Sequence, residues 1–510
     1  MDIWSWICEL PSPNEWSSVS DPPFMTFQLS PDDLVTFTVS LQTPNSPSKT
    51  IWVSDTCPLS SDKPYLPLFL QLLHEIISHA PVAHRSSACT RQYSQLLKLK
   101  PEPISWIMDS HSPESFSKFF DLVFLTRLFF LCVFQAPSQV GSFYFDSLYG
   151  PNVELLSSKN HTPVLKTFLV TVGVDIELSF IRTLGYILSK WLIFRQTVNV
   201  GLQALLNPLP RHRYGFCYGM EAHGYWILKG SVPVHAMKVI RSSEKINKFP
   251  VLEPKESILR YVLAHQQLEA VIQLEYSVRF DNDGFIQVNA RVDNLRLHVA
   301  RLGFSGGGEQ DEEDLELGEE MYFPSRIRVW VGPDIGSNYV SGLSLGRSTN
   351  NEDCEVEMQR VLKGDFGKAK VPQVKTRSRM STRTKVNNWR WDQDAEGNVA
   401  VFESVLCDNV SGHEIATWRE TTAGGGGFRN RYNGANRHFS KSGGLVFARD
   451  EYGEEICWRL NKEMEGSVLK WRIGGQVWLT YWPNHVKSSF FETRCIEWCD
   501  EVDLPLIPPK

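Results

Sequence analysis

The sequence predicts an α+β fold, in which a helical N-terminal unit is followed by a large antiparallel β-sandwich or barrel-like domain with charged loop inserts. Three observations predict this class. The 510 residues are 42% hydrophobic and 22% charged, so the chain can bury a large core. Apolar residues recur at helical spacing before residue 207 and alternate with polar residues after residue 210. Turn residues then separate the alternating segments at short intervals, as in antiparallel sheets.

Composition divides the chain into three parts: a Ser/Pro-rich segment 1–60, a helical unit 61–210 and a β-rich domain 211–510. The first segment is either a loose extension or a few strands, of which Leu34 to Leu41 has the clearest pattern. Most of the 16 tryptophans are expected in a packed core, because tryptophan supplies large buried area.

Two long helices are predicted in the helical unit. Ser112 is a good capping residue, Pro113 suits the first helical position, and this helix ends before Pro137. A second helical stretch begins near Thr162 and runs toward Leu206.

A hairpin is the clearest element of the β-rich domain. Apolar and polar residues alternate from Ile272 to Phe280 and from Ile286 to Val292, and the turn residues Asp281 to Gly284 connect them. The alternation slips by one residue at Asn294, which predicts a bulge. Three inserts, which we expect to be solvated loops, interrupt this domain at 303–322, 360–390 and 421–444.

Charge and hydropathy restrict the compartment and the partners. The net charge of −6 argues against a dedicated nucleic-acid binder. The start of the chain shows no secretory signal, and the apolar stretch from Leu122 to Phe134 is too short to span a bilayer. The ten cysteines form no dense framework and are expected to be reduced. We therefore expect a cytoplasmic protein, with the nucleus or a membrane surface as alternatives.

One acidic segment matches the spacing of an EF-hand loop. Asp392, Asp394, Glu396 and Glu403 occupy the positions of oxygen ligands, and Gly397 occupies the position of the turn glycine. Calcium is the only metal that this spacing suggests, and no other cofactor is indicated. Because the flanking residues alternate like strands, an acidic hairpin turn is the alternative interpretation.

Cysteine and histidine residues give a second candidate. His212, Cys217 and His223 are types that ligate zinc or act as nucleophile and base, but their spacing fits no standard zinc module. A structural role for Cys217 is favoured. Cys495 and Cys499 share one face of a predicted strand about 13 Å apart, so a disulfide between them is not expected.

A glycine-rich loop gives a third candidate. Gly424 to Gly427 precede Arg429 and Arg431, and glycine-rich backbone beside arginines can bind a phosphate. The loop lacks the Walker A and Rossmann spacings. A mobile loop is the alternative interpretation.

The basic insert 360–390 is the fourth candidate. It can contact anionic lipid, RNA or an acidic partner, neutralise the acidic insert of the same molecule, or remain a solvated loop. Ser381 follows several bases and is a plausible phosphorylation target. The bases that we predict to bind a partner or anion are Lys368, Lys370, Arg377, Arg379, Arg383 and Lys385.

Three stretches carry a resemblance to a known family: Arg326 to Gly346, Asn388 to Cys407, and Lys470 to Asp503. Across about the last 300 residues the chain resembles a family of land-plant proteins to which no activity is assigned. The resemblance implies a plant source. It brings no catalytic residues to this sequence.

These features favour a soluble intracellular interaction or scaffold protein with a protein partner. No catalytic constellation can be assigned, so a role other than catalysis is favoured while an enzyme stays an open alternative, and the oligomeric state is also left open. One alternative is a peripheral membrane protein that binds anionic lipid through the basic insert. Another is an enzyme or ligand-binding β domain of unknown substrate.

Overall fold

The computed structural model describes most of the chain. The described ranges are 25–58, 63–83, 99–132, 141–198, 215–234, 254–303, 320–345, 354–366, 374–386, 389–407, 414–416, 445–448, 455–483 and 492–508, with short gaps at 30–33, 42–48, 64, 142–143, 157, 282–283 and 335–336. A helical unit precedes a domain of antiparallel β-sheets, which confirms the predicted α+β class.

The helical unit contains six helices in the described part of the chain. They are α1 (Leu66–Ser78), α2 (Pro101–Ser110), α3 (Pro113–Cys132), α4 (Gly150–Leu156), α5 (Thr162–Thr171) and α6 (Val174–Val198), and α4 is preceded by a π-helical turn (Phe145–Tyr149). The predicted start of α3 is confirmed, because the Ser115 amide donates to the Ser112 hydroxyl at 3.2 Å. The second predicted stretch is divided into α5 and α6 at Gly173, whose φ of +96° interrupts helical geometry.

The N-terminal segment contributes strands to the helical unit. Strands β1 (Met25–Leu29), β2 (Leu34–Leu41), β3 (Lys49–Val53) and β4 (Cys57–Pro58) form one antiparallel sheet. Val35, Phe37 and Trp52 are buried in the same core as the helices. Of the two interpretations of this segment, the structure therefore shows strands, and they pack on the helices.

Two large antiparallel sheets form the remainder of the fold. One has eight strands: β6 (Phe216–Ala222), β7 (Tyr225–Val234), β8 (Gln266–Phe280), β9 (Phe285–Gly303), β11 (Val340–Ser344) and β17 (Ile456–Asn461), with β5 (Val82–Ala83) and β16 (Leu445–Ala448) also paired to β9. The other has five strands in the order β14 (Trp389–Glu396), β15 (Val399–Leu406), β10 (Phe323–Pro333), β18 (Val468–Tyr481) and β19 (Glu492–Pro505). A seventh helix, α7 (Pro254–Ala264), leads into β8.

The predicted hairpin and its bulge are both present. Strands β8 and β9 pair along their length, and the register shifts where Gln273 and Leu274 face Asn294 and Val292. Asp293 is the extra residue of the bulge, so the change of phase in the sequence marks its position.

Aromatic side chains fill the space between the two sheets. Trp226 stacks on Tyr276 with ring centroids 4.5 Å apart, and Trp471 contacts both Trp226 and Trp458 at 5.2 and 4.8 Å. These three tryptophans are fully buried. The sandwich is therefore held by a continuous aromatic cluster.

Ion pairs connect the helical unit to the outer face of the eight-stranded sheet. Arg182 of α6 donates to Glu269 of β8 at 2.9 Å, and Lys229 of β7 pairs with Glu177 of α6 at 3.0 Å. Burial raises the pKa of Glu269, but hydrogen bonds from His298 and Arg182 outweigh it and lower that pKa to about 2. Burial raises the pKa of Glu177, and Lys229 opposes this shift.

The charged inserts differ from the predicted loops. Residues 360–390 are not a solvated loop, because most of them belong to β12 (Cys354–Phe366), β13 (Val374–Val386) and the start of β14. The charges of this insert alternate with other residues, and a period of two suits a strand. Most of insert 303–322 and all of insert 421–444 lie outside the described residues. In the part of the chain that the structure covers, no helix is both long and apolar enough to cross a bilayer.

Candidate functional site

Strands β12 and β13 form a two-stranded sheet of their own. They follow β11, at one edge of the eight-stranded sheet, and precede β14, at one edge of the five-stranded sheet. Neither strand pairs with a strand of the two large sheets within the described residues. In sequence the hairpin therefore lies between an edge strand of one large sheet and an edge strand of the other.

The register of this hairpin is regular. Thirteen residues of β12 face thirteen residues of β13 without a shift, from Cys354 opposite Val386 to Phe366 opposite Val374. At ~3.3 Å per residue each strand extends about 43 Å. The hairpin is long compared with the five to six residues of an average strand.

The even-numbered residues of both strands share one face. Arg360 is the only charged residue among these fourteen positions. Eight of the positions are apolar: Cys354, Val356, Met358, Leu362, Phe366, Val374, Met380 and Val386. We call this set of even-numbered residues the apolar face.

The odd-numbered residues share the opposite face, which we call the charged face. It holds six bases and three acids, so its net charge is positive. Near the sandwich the charges are matched across the strands, since Glu355 faces Lys385 and Glu357 faces Arg383. Toward the connecting residues the balance is positive: Val361, Lys363 and Asp365 face Arg379, Arg377 and Lys375.

Four of the predicted partner-binding bases, Arg377, Arg379, Arg383 and Lys385, are brought together on the charged face. Ser381 lies on the same face, opposite Gln359. Lys368, Lys370, Arg429 and Arg431 lie outside the described residues. The apolar face was not predicted, although its signal is present in the sequence as the alternation of Cys354, Val356 and Met358 with polar residues.

The predicted calcium ligands lie on a β-hairpin. Asp392, Asp394 and Glu396 lie on the exposed face of edge strand β14, and Gly397 has a φ of +64° in the turn to β15. Glu403 lies opposite Asp392 and pairs with Arg326 at 2.6 Å, while Glu396 pairs with Arg328. These carboxylates do not gather around one point, because a strand spaces Asp392, Asp394 and Glu396 along its length. Arginines also neutralise Glu396 and Glu403.

Two of the three cysteine and histidine candidates lie within the described residues. Cys217 lies on β6, His223 lies in the turn after β6 with a φ of 51°, and His212 is outside the described residues. Glu221 accepts a hydrogen bond from the Tyr276 hydroxyl at 2.8 Å. Among the described residues, no group of three or more His, Cys, Asp or Glu side chains is arranged to hold a metal ion.

No protein-family model matches the chain, and no curated protein matches it in sequence. Solved structures do align with it. The membrane-inserted form of the Clostridium perfringens NetB toxin aligns over 56% of this chain and 93% of the toxin, with 9% identity and a TM-score of 0.18. Clostridium perfringens delta-toxin aligns over 57% and 96%, with 11% identity and a TM-score of 0.24. A pore-forming protein aligns over 56% and 89%, with 9% identity and a TM-score of 0.18.

These comparisons contradict two predictions. The prediction of a soluble intracellular interaction or scaffold protein is wrong, because the structures that align with the chain are those of toxins and a pore-forming protein. The prediction of a cytoplasmic location is wrong on the same finding. The resemblance to a land-plant family stays a prediction.

Proposed function

We propose that the protein binds the surface of an anionic lipid bilayer through the β12–β13 hairpin. The register of the two strands carries the proposal, because it separates an apolar face from a charged face with a positive balance. Apolar residues on one face and bases on the other are the arrangement by which amphipathic segments lie in a membrane interface.

The apolar face favours transfer of the hairpin from water to the lipid acyl chains. A two-stranded hairpin on its own is marginally stable in water, and this one pairs with neither large sheet in the described part of the chain. Eight apolar residues on one face provide surface whose removal from water stabilises at about 25 cal/mol per Å². Contact with lipid acyl chains therefore favours the hairpin.

The charged face supplies the preference for anionic lipid. Lys363, Lys375, Arg377 and Arg379 lie in the half of the hairpin farther from the sandwich, where Asp365 is the only acid on that face. Each base near an anionic membrane surface contributes about 1 kcal/mol, and salt weakens this attraction. Lys368 and Lys370 add further positive charge to the connecting sequence.

Vesicle flotation tests the charged face. The full chain is mixed with vesicles of phosphatidylcholine, or of phosphatidylcholine with phosphatidylserine, at low and high salt. We expect flotation with the anionic vesicles at low salt and a loss of flotation at high salt. The triple variant Lys375→Gln, Arg377→Gln, Arg379→Gln should bind anionic vesicles at least tenfold more weakly.

A matched control removes three exposed bases from other parts of the molecule: Lys100→Gln, Lys159→Gln, Lys462→Gln. It carries the same change in net charge and should bind as the wild type does. Equal binding by the hairpin variant and the wild type would contradict the proposal, as would equal flotation with neutral and anionic vesicles.

Two neighbouring residues test the apolar face. Leu362 lies on the apolar face and Val361 on the charged face, so Leu362→Gln and Val361→Gln make the same kind of change on opposite faces. Burying a leucine stabilises by about 1.5–3 kcal/mol, so Leu362→Gln should weaken vesicle binding about tenfold. Val361→Gln should change it less than threefold, and equal effects would exclude the assigned orientation.

A further inference from the structure

The outer face of the five-stranded sheet carries two tryptophans. Strand pairing places Trp330 of β10 opposite Gly474 of β18, and Trp478 of β18 opposite Arg326 of β10. The residues next to each tryptophan in sequence are buried in the core of the sandwich, so both indoles lie on the face directed away from that core. Both side chains are partly exposed, unlike the tryptophans that pack between the two sheets.

Trp330 lies directly on the backbone of the neighbouring strand. A Cβ built on Gly474 would overlap the indole atoms Cζ2 and Cε2 of Trp330. Because glycine has no side chain, the ring can rest against β18 at this point, and any other residue at position 474 would displace it. The indole is therefore held against the sheet while part of its surface faces solvent.

An ion-paired arginine holds the second indole. The guanidinium carbon of Arg326 lies 4.9 Å from the ring centroid of Trp478. The same guanidinium pairs with Glu403 of β15 at 2.6 Å, which fixes its position. Contacts within the protein thus set the orientation of Trp478 before any ligand binds.

Polar side chains lie between the two indoles. Arg328 and Gln476 face each other across β10 and β18, midway along the strands between the tryptophans. Arg328 pairs with Glu396, and the Gln476 amide donates to Glu497 at 2.9 Å. Positions 474 and 478 are four residues apart, so the indoles are attached about 13 Å apart along the strands. This interval offers both hydrogen-bond donors and acceptors.

The charge of this face disfavours an anionic ligand. Acids outnumber bases at the outward positions of the five strands. The two central bases, Arg326 and Arg328, are each paired with a carboxylate. Nucleic acids bind through phosphate contacts with lysine and arginine, so the excess of carboxylates opposes them here, although indoles also stack on bases. A ligand that presents hydroxyl groups and no charge suits this surface.

We propose that the outer face of the five-stranded sheet binds a linear, uncharged oligosaccharide. One side of a sugar ring presents C–H groups, which pack on the negative face of an indole, and its hydroxyl groups pair with carboxylate, amide and guanidinium groups. Trp330 and Trp478 each hold one sugar ring, and Arg328 and Gln476 bind hydroxyl groups of the sugars between them. This site is separate from the β12–β13 hairpin, and the proposed lipid binding does not depend on it.

A glycan array probed with the full chain tests the class of ligand. The array carries neutral and acidic linear oligosaccharides, and an oligothymidylate is spotted beside them. We expect binding to be confined to neutral chains. No binding to any neutral oligosaccharide, or stronger binding to the acidic chains or to the oligothymidylate, would overturn the proposal.

Titration calorimetry then tests the spacing of the two indoles on the wild type. A hexasaccharide of the sugar that binds best on the array is compared with the disaccharide of the same sugar. We expect at least tenfold weaker binding of the disaccharide, because it cannot reach two rings attached about 13 Å apart. Equal affinities would exclude a site that uses both tryptophans, and neither measurement on the wild type needs a variant to fold.

Variants assign the site to these two indoles. Trp330→Ala and Trp478→Ala should each weaken binding of the hexasaccharide at least tenfold, and Gly474→Ala should weaken it as well by displacing the ring of Trp330. Trp330→Phe keeps an aromatic ring and should bind within about threefold of the wild type. Trp106→Ala is the matched control, because Trp106 is 55% exposed on α2, and it should bind as the wild type does. Unchanged binding by both Trp330→Ala and Trp478→Ala would contradict the proposal.

Discussion

At the scale of single residues, Glu269 shows what the helical unit does to the sheet. Its side chain is 8% exposed and accepts hydrogen bonds from Arg182 at 2.9 Å and His298 at 2.8 Å. The alternation of β8 places Glu269 on the face away from the sandwich core, where the sequence alone predicts solvent. Helix α6 covers this face and supplies Arg182. Glu269, whose place in the alternation predicts exposure to solvent, is therefore buried in an ion pair.

Replacing this carboxylate tests its contribution. Glu269→Gln leaves the half-buried Arg182 without a charge partner, and we expect the free energy of unfolding to fall by about 3 kcal/mol at pH 7, measured by urea denaturation. Because the folded pKa of about 2 lies below the ordinary value of 4.5, this stabilisation is present above pH 4.5 and is lost as the pH falls toward 2.

The gap between wild type and Glu269→Gln should therefore close across that pH window. Glu463→Gln, at an exposed position, is the matched control and should change stability by less than about 0.5 kcal/mol at any pH. A gap that stays constant from pH 6 to pH 3 would contradict the assigned ion pair.

At the scale of elements, the β12–β13 hairpin shows that a count of charged residues does not distinguish a strand from a loop. The total of the bases in 360–390 predicted a solvated loop, but their alternation with Val374, Thr376 and Ser378 is that of a strand. Cross-strand pairs such as Glu357 and Arg383 then match opposite charges. The sequence of each strand shows a period of two, but only the pairing of β12 with β13 shows which residues of the two strands share a face.

Excision of the hairpin tests whether it is an independent element. Residues 346–388 are replaced by a flexible Gly/Ser linker of about ten residues that joins β11 to β14. Because β14 keeps its full pairing with β15, we expect the melting temperature to change by less than about 3 °C, by circular dichroism. Flotation with anionic vesicles should be lost.

Removal of residues 421–444 is the control deletion, since it shortens a different insert of the same domain. This variant should still float with anionic vesicles. A hairpin deletion that unfolds the β domain would show that the hairpin belongs to the sandwich, which would contradict its role as a separate element.

At the scale of the whole molecule, two large hydrophobic cores meet at a boundary that contains ion pairs. One core joins the helices with Val35, Phe37 and Trp52, and the other lies between the two large sheets. The ion pairs of Arg182 and Lys229 cross the boundary, together with apolar contacts from Tyr218. The helical unit and the sandwich are thus coupled by charged contacts, by apolar contacts and by the pairing of β5 with β9.

Calorimetry tests this coupling. We expect the wild type to unfold in one transition, and the double variant Arg182→Met, Lys229→Met to show two, because each core retains its packing after the boundary is weakened. Lys462→Met, Lys470→Met removes two exposed charges from the β domain and should keep one transition. A single transition in the boundary variant would show that apolar contacts alone couple the units.

The elements whose signals are local could be predicted from the amino-acid sequence alone. The capping Ser112, the alternation of β8 and β9, and the change of phase at Asn294 each depend on neighbours within a few residues, and the structure confirms them. The prediction of a solvated loop at 360–390 was wrong because the number of charged residues was given more weight than their period of two.

The contacts between residues far apart in sequence could not be predicted, because they depend on how the elements pack. The Cys217 thiol contacts the Cys499 carbonyl oxygen because two sheet edges pack together, and Glu269 is buried because α6 lies on the outer face of its sheet. The two faces of the β12–β13 hairpin follow from a register that joins residues on separate strands. Contacts of this kind depend on the packing energy between elements. The periodicity of a single segment does not reveal that energy.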